Sequence, residues 1–174
     1  MNDLVRPEGI EPHHVHQAGG SLFRRWPFGL GGLGVLLGLA VFGVYGADAR
    51  LTGAGNEVEL VVEGPRRIRN GEFFEMVITI AAERDVRDLV ILIDEELWRD
   101  LTVNTLLPDP SGHGFREGSF EFRFGTLNAG ERLLVKVDGQ INPSHAPSTN
   151  AGTIALANGD AVLATVNYTM EVLP

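Results

Sequence analysis

The sequence predicts an all-β domain, an antiparallel sandwich of about seven or eight strands, that follows a single transmembrane helix. Residues 26–47 carry no charge and are mostly apolar. From residue 56 onward, apolar residues alternate with polar ones, and this period of two is typical of half-buried strands. We therefore expect a polar cytoplasmic tail at 1–25, a membrane helix at 26–47, a linker at 48–55 and the sandwich at 56–174.

Composition narrows the function classes. The chain has 174 residues, a net charge of −9 and no cysteine, which excludes disulfides and thiolate metal sites. Three of its 23 acidic and three of its 14 basic residues precede residue 48, so the acidic excess lies in the predicted domain. Because such a surface repels phosphate backbones, we expect no nucleic-acid partner.

The uncharged segment has the length and flanks of a membrane helix. From Trp26 to Ala47 it spans 22 residues, or about 33 Å of helix, enough to cross a hydrocarbon core of about 30 Å. Arg24 and Arg25 precede it, and this positive flank predicts a cytoplasmic N-terminus. Thirteen arginines against one lysine are typical of GC-rich bacterial genes. We therefore expect a single-pass protein of the bacterial inner membrane, with its domain in the periplasm or outside the cell.

A cleaved signal peptide is the alternative. Ala47-Asp48-Ala49 fits a small-x-small cleavage site. The region before the apolar stretch is long for a signal peptide, so we favour a permanent anchor in the lipid bilayer.

A strip of glycines marks this predicted helix. Gly34 and Gly38 form a GxxxG pair, and Gly31 extends it. Small residues at this spacing let a second helix approach closely, which predicts packing on integral membrane subunits. The alternative is that glycine is simply frequent in this chain.

The tail contains His13-His14-Val15-His16. Such a run has the donor atoms for a transition metal or a chlorin. We favour a flexible polar tail, and we expect no metal and no cofactor, because no acidic or sulfur ligand lies at a suitable spacing.

Alternating stretches define the strands of the domain. Leu89–Ile93 is a continuous apolar run, as in a strand buried on both faces. The residues predicted to face inward on the alternating strands are Val58, Leu60, Val62, Phe74, Met76, Ile78, Ile80, Phe120, Phe122, Phe124, Leu133, Val135, Val137, Ile154, Leu156, Val162, Ala164, Val166, Tyr168, Met170 and Val172.

Turn residues separate these stretches. Asn158-Gly159 between two apolar strands is the strongest hairpin signal. Asn70-Gly71 and Asn128-Ala129-Gly130 also predict turns, while residues 108–112 and 142–150 predict loops.

Leu127-Asn128-Ala129-Gly130-Glu131 precedes a valine-rich strand. This stretch resembles the L-x-x-G-E/D turn of bacterial immunoglobulin-like modules, and the resemblance covers residues 56–174. It implies an immunoglobulin-like sandwich with a binding or scaffolding role, because such modules are rarely catalytic. The chain lacks the Cys–Trp–Cys pin of antibody domains, so antibody-type topology is not implied.

Two clusters have residue types found in active or metal sites. Asp94, Glu95, Glu96 and Asp100 offer carboxylates for calcium, but they lack the spacing of a calcium loop, and a solvated helical turn is favoured. Asp109, Ser111 and His113 are triad residue types in one loop without a nucleophile elbow. We therefore expect no catalytic residues and no enzyme activity.

The loop Asn142-Pro143-Ser144-His145-Ala146-Pro147 is stiffened by two prolines. Because loops at the ends of sandwiches often bind partners, we predict Asn142, Pro143, His145 and Pro147 as a candidate partner-contact loop.

These observations favour a non-catalytic, membrane-anchored accessory or scaffolding subunit of an integral membrane complex, for example an electron-transport or photosynthetic one. A membrane-tethered ligand-binding or sensory module is the alternative, and it requires a concave apolar pocket. A hydrolase built on Asp109, Ser111 and His113 is the least favoured hypothesis.

Overall fold

A computed structural model describes residues 29–38, 48–55, 57–142 and 147–174. The chain divides into two compact units, Met1–Gly43 and Val44–Pro174. The described part of the first unit is one helix, and that of the second unit is almost entirely strand.

Helix α1 spans residues 29–38, inside the predicted membrane segment. Its large aliphatic side chains are 53–66% exposed. Within the described residues, no helix has both the length and the apolar character needed to cross a membrane. The flanking parts of the predicted membrane helix, 26–28 and 39–47, lie outside the described residues.

The second unit contains eleven strands within the described residues. They are β1 Asp48–Ala54, β2 Val58–Pro65, β3 Arg67–Arg69, β4 Phe73–Ala82, β5 Val86–Asp94, β6 Leu101–Leu107, β7 Gly112–Arg116, β8 Ser119–Leu127, β9 Arg132–Ile141, β10 Ser148–Asn158 and β11 Ala161–Leu173.

These strands form two sheets, which confirms the prediction of a two-sheet β-sandwich. One sheet has the order β1-β2-β4-β9-β6, and the other β3-β11-β10-β5-β8-β7. Neighbouring strands are antiparallel except for β3 and β11, which run parallel. The prediction of seven or eight strands was too low, because short strands such as β3 and β7 lack a run of alternating apolar residues.

The stretch 48–55, predicted as a linker, contains strand β1. This strand pairs with β2 from Asp48↔Pro65 to Ala54↔Glu59. Its alternation is short, with Ala49, Leu51 and Gly53 lying between exposed polar residues, and Leu51 is its only large apolar side chain, so the strand signal is weak. Gly53 allows this strand to approach β11, since a Cβ there would lie 2.3 Å from the Thr165 carbonyl oxygen.

The core lies between the two sheets and confirms most of the predicted inward faces. Phe74, Met76, Ile78 and Ile80 are all buried on β4, and the run Leu89–Ile93 is buried apart from the half-buried Leu92. Val162 is an exception among the predicted inward residues, because it is 58% exposed at the start of β11.

Three predicted turns are present, each with a glycine at positive φ. Gly159 (φ +61°) lies in the two-residue loop between β10 and β11, and Gly71 (φ +79°) precedes β4. Gly130 (φ +82°) lies in the turn after β8. This last turn links the two sheets, because β8 and β9 belong to different sheets.

Candidate binding surfaces

The predicted partner-contact loop is only partly described. Asn142 follows β9, its side-chain oxygen accepts a hydrogen bond from the Thr102 hydroxyl (2.8 Å), and its N–H donates to the Asp100 carbonyl (3.0 Å). Pro147 is exposed before β10. Pro143 and His145 lie outside the described residues, so the role of this loop remains a prediction.

The glycine strip of α1 is open. A Cβ at Gly31, Gly34 or Gly38 would meet no atom of the described residues within 4 Å, and the same is true of Gly29 and Gly32. At about 100° per residue these three positions share one face of the helix, whereas Gly32 lies on another. Packing of a partner helix on this face therefore remains a prediction with free space to accommodate it.

The acidic cluster after β5 has a structural role. Asp94 accepts hydrogen bonds from the Ser119 hydroxyl (3.0 Å) and from the Thr153 N–H (2.7 Å), while Glu96 forms an ion pair with Arg99. Over the part of the chain that the structure describes, no three His, Cys, Asp or Glu side chains are grouped to hold a metal ion. Asp94 thus fastens the turn after β5 to strands β8 and β10.

The triad residue types are not arranged as a relay. Ser111 donates its hydroxyl proton to the Arg123 carbonyl oxygen (3.0 Å). His113 lies within β7 and pairs with Phe122 of β8, so it is part of a strand and not of the predicted loop. Asp109 is exposed. This arrangement gives the serine no base and therefore offers no support to the hydrolase hypothesis.

A cleft of about 320 Å³ opens where β2, β3 and β4 meet. Four carboxylates and one arginine line it, so its side chains carry a net charge of −3 at neutral pH. Phe73 stands at this cleft and is 69% exposed. The lining residues are Asp48, Glu63, Gly64, Pro65, Arg67, Ile68, Glu72, Phe73, Phe74, Glu75 and Val77.

Most charges of the cleft already have partners. Glu63 pairs with Arg50 (3.0 Å), Glu75 with Lys136 (2.9 Å) and Arg67 with Glu171 (2.8 Å). Glu72 accepts the N–H of Arg69 (3.0 Å). The ligand-binding hypothesis requires a concave apolar pocket, and this open, charged lining does not match it.

Aromatic rings fill the sandwich beside β7 and β8. The Trp98 ring lies 5.7 Å from that of Phe120 and 5.4 Å from that of Phe122, and Phe115 meets Phe120 edge-to-face at 5.4 Å. Phe115 remains 57% exposed. The Trp98 indole N–H is buried and has no hydrogen-bond acceptor among the described residues. The alternation predicts Phe120 and Phe122 as inward-facing but not their contacts with Trp98 and Phe115, and Phe115 lies in a glycine-rich stretch that resembles a loop.

The opposite face of β7 and β8 carries an ion-pair network. Glu121 is buried, and it pairs with Arg116 (3.3 Å) and Arg123 (2.6 Å). Arg123 also pairs with Asp88 (2.8 Å), and Arg116 with Asp160. The hydrogen bond to Glu121 and the charges of Glu121 and Asp88 raise the pKa of Arg123. Because Glu121 alternates with inward-facing phenylalanines, the sequence pattern predicts that it is solvated. The pattern does not show that Arg116 and Arg123 pack over it.

Comparisons with known proteins show no family for this chain: the sequence matches no protein-family model and no curated protein. Similar solved structures include the CARDB domain of a Pyrococcus furiosus protein in complex with di-metal ions, with 10% identity over 69% of this chain and 92% of that domain, and a TM-score of 0.42.

Two further likenesses are weaker. A Niemann-Pick type C2 protein from the Japanese carpenter ant is 11% identical over 75% of this chain and 99% of its own, at a TM-score of 0.40. The Pseudomonas fluorescens alkylpurine DNA glycosylase AlkC is 18% identical over 70% of this chain but only 31% of its own, at 0.39. At these scores the likenesses carry no functional conclusion.

Proposed function

We propose that this protein is a non-catalytic accessory subunit of an integral membrane assembly. In this proposal segment 26–47 is a permanent helix in the bacterial inner membrane, and the sandwich covers the periplasmic face of a partner. The sandwich would be immunoglobulin-like, as its resemblance to bacterial modules implies.

The observation that carries the proposal is the exposure of α1. Leu30, Leu33, Val35, Leu36 and Leu37 are all more than half exposed. Burying a side chain of this kind completely is worth about 1.5–3 kcal/mol, so moving five half-exposed ones out of water is worth about 5 kcal/mol. Lipid or a partner helix provides that apolar environment.

Length supports the same proposal. The ten residues of α1 cover about 15 Å, half of a hydrocarbon core. The uncharged segment that contains α1 runs from residue 26 to 47. If the helix extends over this whole segment in lipid, it is about 33 Å long, about twice the length of α1.

Substitution in the glycine strip tests whether α1 binds partner subunits. We expect partner subunits to co-purify with the full chain in mild detergent and to be lost when Gly34→Leu fills the strip. Gly32→Leu is the matched control, because it adds the same side chain on another face of the helix. Purification of the unmodified chain without any other protein would reject the accessory-subunit proposal.

A further inference from the structure

Strands β1, β6, β3 and β7 form the edges of the two sheets. They differ in how well they are protected against pairing with a strand of another molecule. A Cβ at Gly53 or Gly55 of the β1 segment would lie 2.3 Å or 2.1 Å from carbonyl oxygens of β11, so one face of that edge strand packs closely against the other sheet. Strand β3 has three residues, and the register of β6 shifts between Val103 and Thr105. Bulges and short strands are devices that prevent edge-to-edge pairing.

Strand β7 is also short, but it is longer than β3 and its pairing has no register shift. Its five residues pair with β8 in unbroken register from Gly112↔Arg123 to Arg116↔Ser119. His113, Gly114 and Phe115 are all exposed. A regular and accessible edge strand presents unpaired backbone groups to a further strand.

The hydrogen bonds of β8 fix which backbone groups of β7 are free. The Gly118 carbonyl accepts the Glu95 N–H (2.9 Å), and the Arg123 carbonyl accepts the Ser111 N–H (2.8 Å). Between Ser119 and Arg123, even-numbered residues of β8 therefore turn their backbone groups toward β5, and odd-numbered ones toward β7. The β7 partners of the odd-numbered residues are Gly112, Gly114 and Arg116, so the N–H and C=O groups of His113 and Phe115 point away from the sheet.

This edge is complementary to itself. In antiparallel pairing about a two-fold axis at Gly114, His113 of one copy lies opposite Phe115 of the other, and each such pair exchanges two N–H···O bonds. Gly114 then faces its own copy in a non-hydrogen-bonded pair, where Cα atoms are about 4.5 Å apart. The exposed Phe115 ring would lie next to an imidazole ring, a favourable cross-strand pair.

Charge does not oppose a second copy at this edge. The chain as a whole carries −9, which opposes self-association across acidic surfaces. Strand β7 has no acidic residue, and its single charged side chain, Arg116, would lie opposite Gly112 of the other copy. Like charges therefore do not meet across this pair.

We propose that β7 is a self-association edge, through which two copies of this chain pair antiparallel and join their six-stranded sheets. The proposal rests on the strand pairing of the sandwich and not on the membrane assignment.

The test uses the full chain in mild detergent with single cysteines, since the natural sequence has none. A Cβ at Gly114 has room, its nearest contact being 4.0 Å away, and a cross-strand separation of about 4.5 Å suits a disulfide. Under mild oxidation we expect G114C to form a covalent dimer on a non-reducing gel. Ala151→Cys, exposed on the inner strand β10, is the control, and it should stay monomeric even where α1 helices associate.

A second variant tests the hydrogen bonds. His113→Pro removes an N–H that faces the second copy and leaves the β7–β8 ladder intact; in the G114C background it should lower dimer formation about tenfold. Phe115→Glu places an acidic group at the same edge and should have the same effect if the proline variant folds poorly. A monomeric G114C, equal cross-linking of Ala151→Cys, or cross-linking only to a protein of another mass would overturn the proposal.

Discussion

The Tyr168 hydroxyl donates a 2.9 Å hydrogen bond to the carbonyl oxygen of Pro65, and so connects the last strand of one sheet to the end of β2 in the other. Tyr168 is fully buried. Gly64 makes room for it, because a Cβ there would lie 2.8 Å from the tyrosine oxygen. The sequence Asn167-Tyr168-Thr169 matches a glycosylation sequon, yet it lies in the middle of β11, where Tyr168 is part of the core and Asn167 and Thr169 lie on the exposed face.

Removing this hydroxyl should destabilise the domain. In Tyr168→Phe the Pro65 carbonyl loses its donor, and we expect the free energy of unfolding to fall by about 1–3 kcal/mol. Urea denaturation measures this. Thr169→Val, on the exposed face of the same strand, should change stability by less than about 0.5 kcal/mol. Equal stability of Tyr168→Phe and the unmodified chain would show that the hydrogen bond is not made.

Alkaline pH should weaken the domain through the same residue. Burial, and to a lesser degree the charge of Asp48, raises the pKa of Tyr168 well above its ordinary value of about 10. The folded state therefore keeps a proton that the unfolded state loses, so this stabilisation is complete below pH 10 and declines as pH rises further. Unfolding of the unmodified chain between pH 9 and about 11 should show a steeper loss than Tyr168→Phe, and parallel curves would contradict the assignment.

Gly53 should not tolerate a side chain. Its Cβ would lie 2.3 Å from the Thr165 carbonyl oxygen, and backbone on both sides must move to accept it. We expect Gly53→Ala to cost about 1–3 kcal/mol of unfolding free energy. Gly112→Ala is the control, because a Cβ at Gly112 would lie 3.8 Å from its nearest neighbour, the Arg123 side chain. If both variants melt at the same temperature, β1 does not approach β11 as described.

Asparagine in place of Glu117 should stabilise the turn between β7 and β8. Glu117 (φ 51°) and Gly118 (φ 81°) both adopt positive φ, as a type I′ hairpin turn requires, and asparagine tolerates that region better than glutamate. We expect Glu117→Asn to raise the free energy of unfolding by up to about 1 kcal/mol. Glu83→Asn, at an exposed bend, should have little effect, and an equal gain there would point to charge and not to turn geometry.

The sequence predicts the interior of the sheets better than their edges. The alternation on β4 and the continuous run of β5 result from burial between two layers, so a period of two or an apolar run reveals them directly. Strand β1 depends on its ladder with β2 and on a glycine contact with β11. Strand β7 consists of two glycines, His113, Phe115 and Arg116, so Phe115 is its one large apolar residue. The local hydrophobicity of these two stretches is too low to predict either strand.

The candidate surfaces likewise differ in how far local sequence predicts them. The glycine spacing on α1 predicts a helix-packing strip, which is a local property of one helix and stays a prediction. The burial of Glu121, the cluster around Trp98 and the free backbone groups of His113 depend on strand pairing between distant residues, such as Phe122 with Ile91. No single stretch of sequence contains that information.

The proposed function requires that segment 26–47 remain in the membrane. Alkaline carbonate washing of membranes from producing cells tests it most directly, because this treatment releases proteins that only adhere to the surface. We predict that the full chain stays in the pellet and that Leu33→Lys combined with Leu36→Lys releases it. Recovery of the unmodified chain in the supernatant, whole or as a product that begins near residue 50, would contradict the claim.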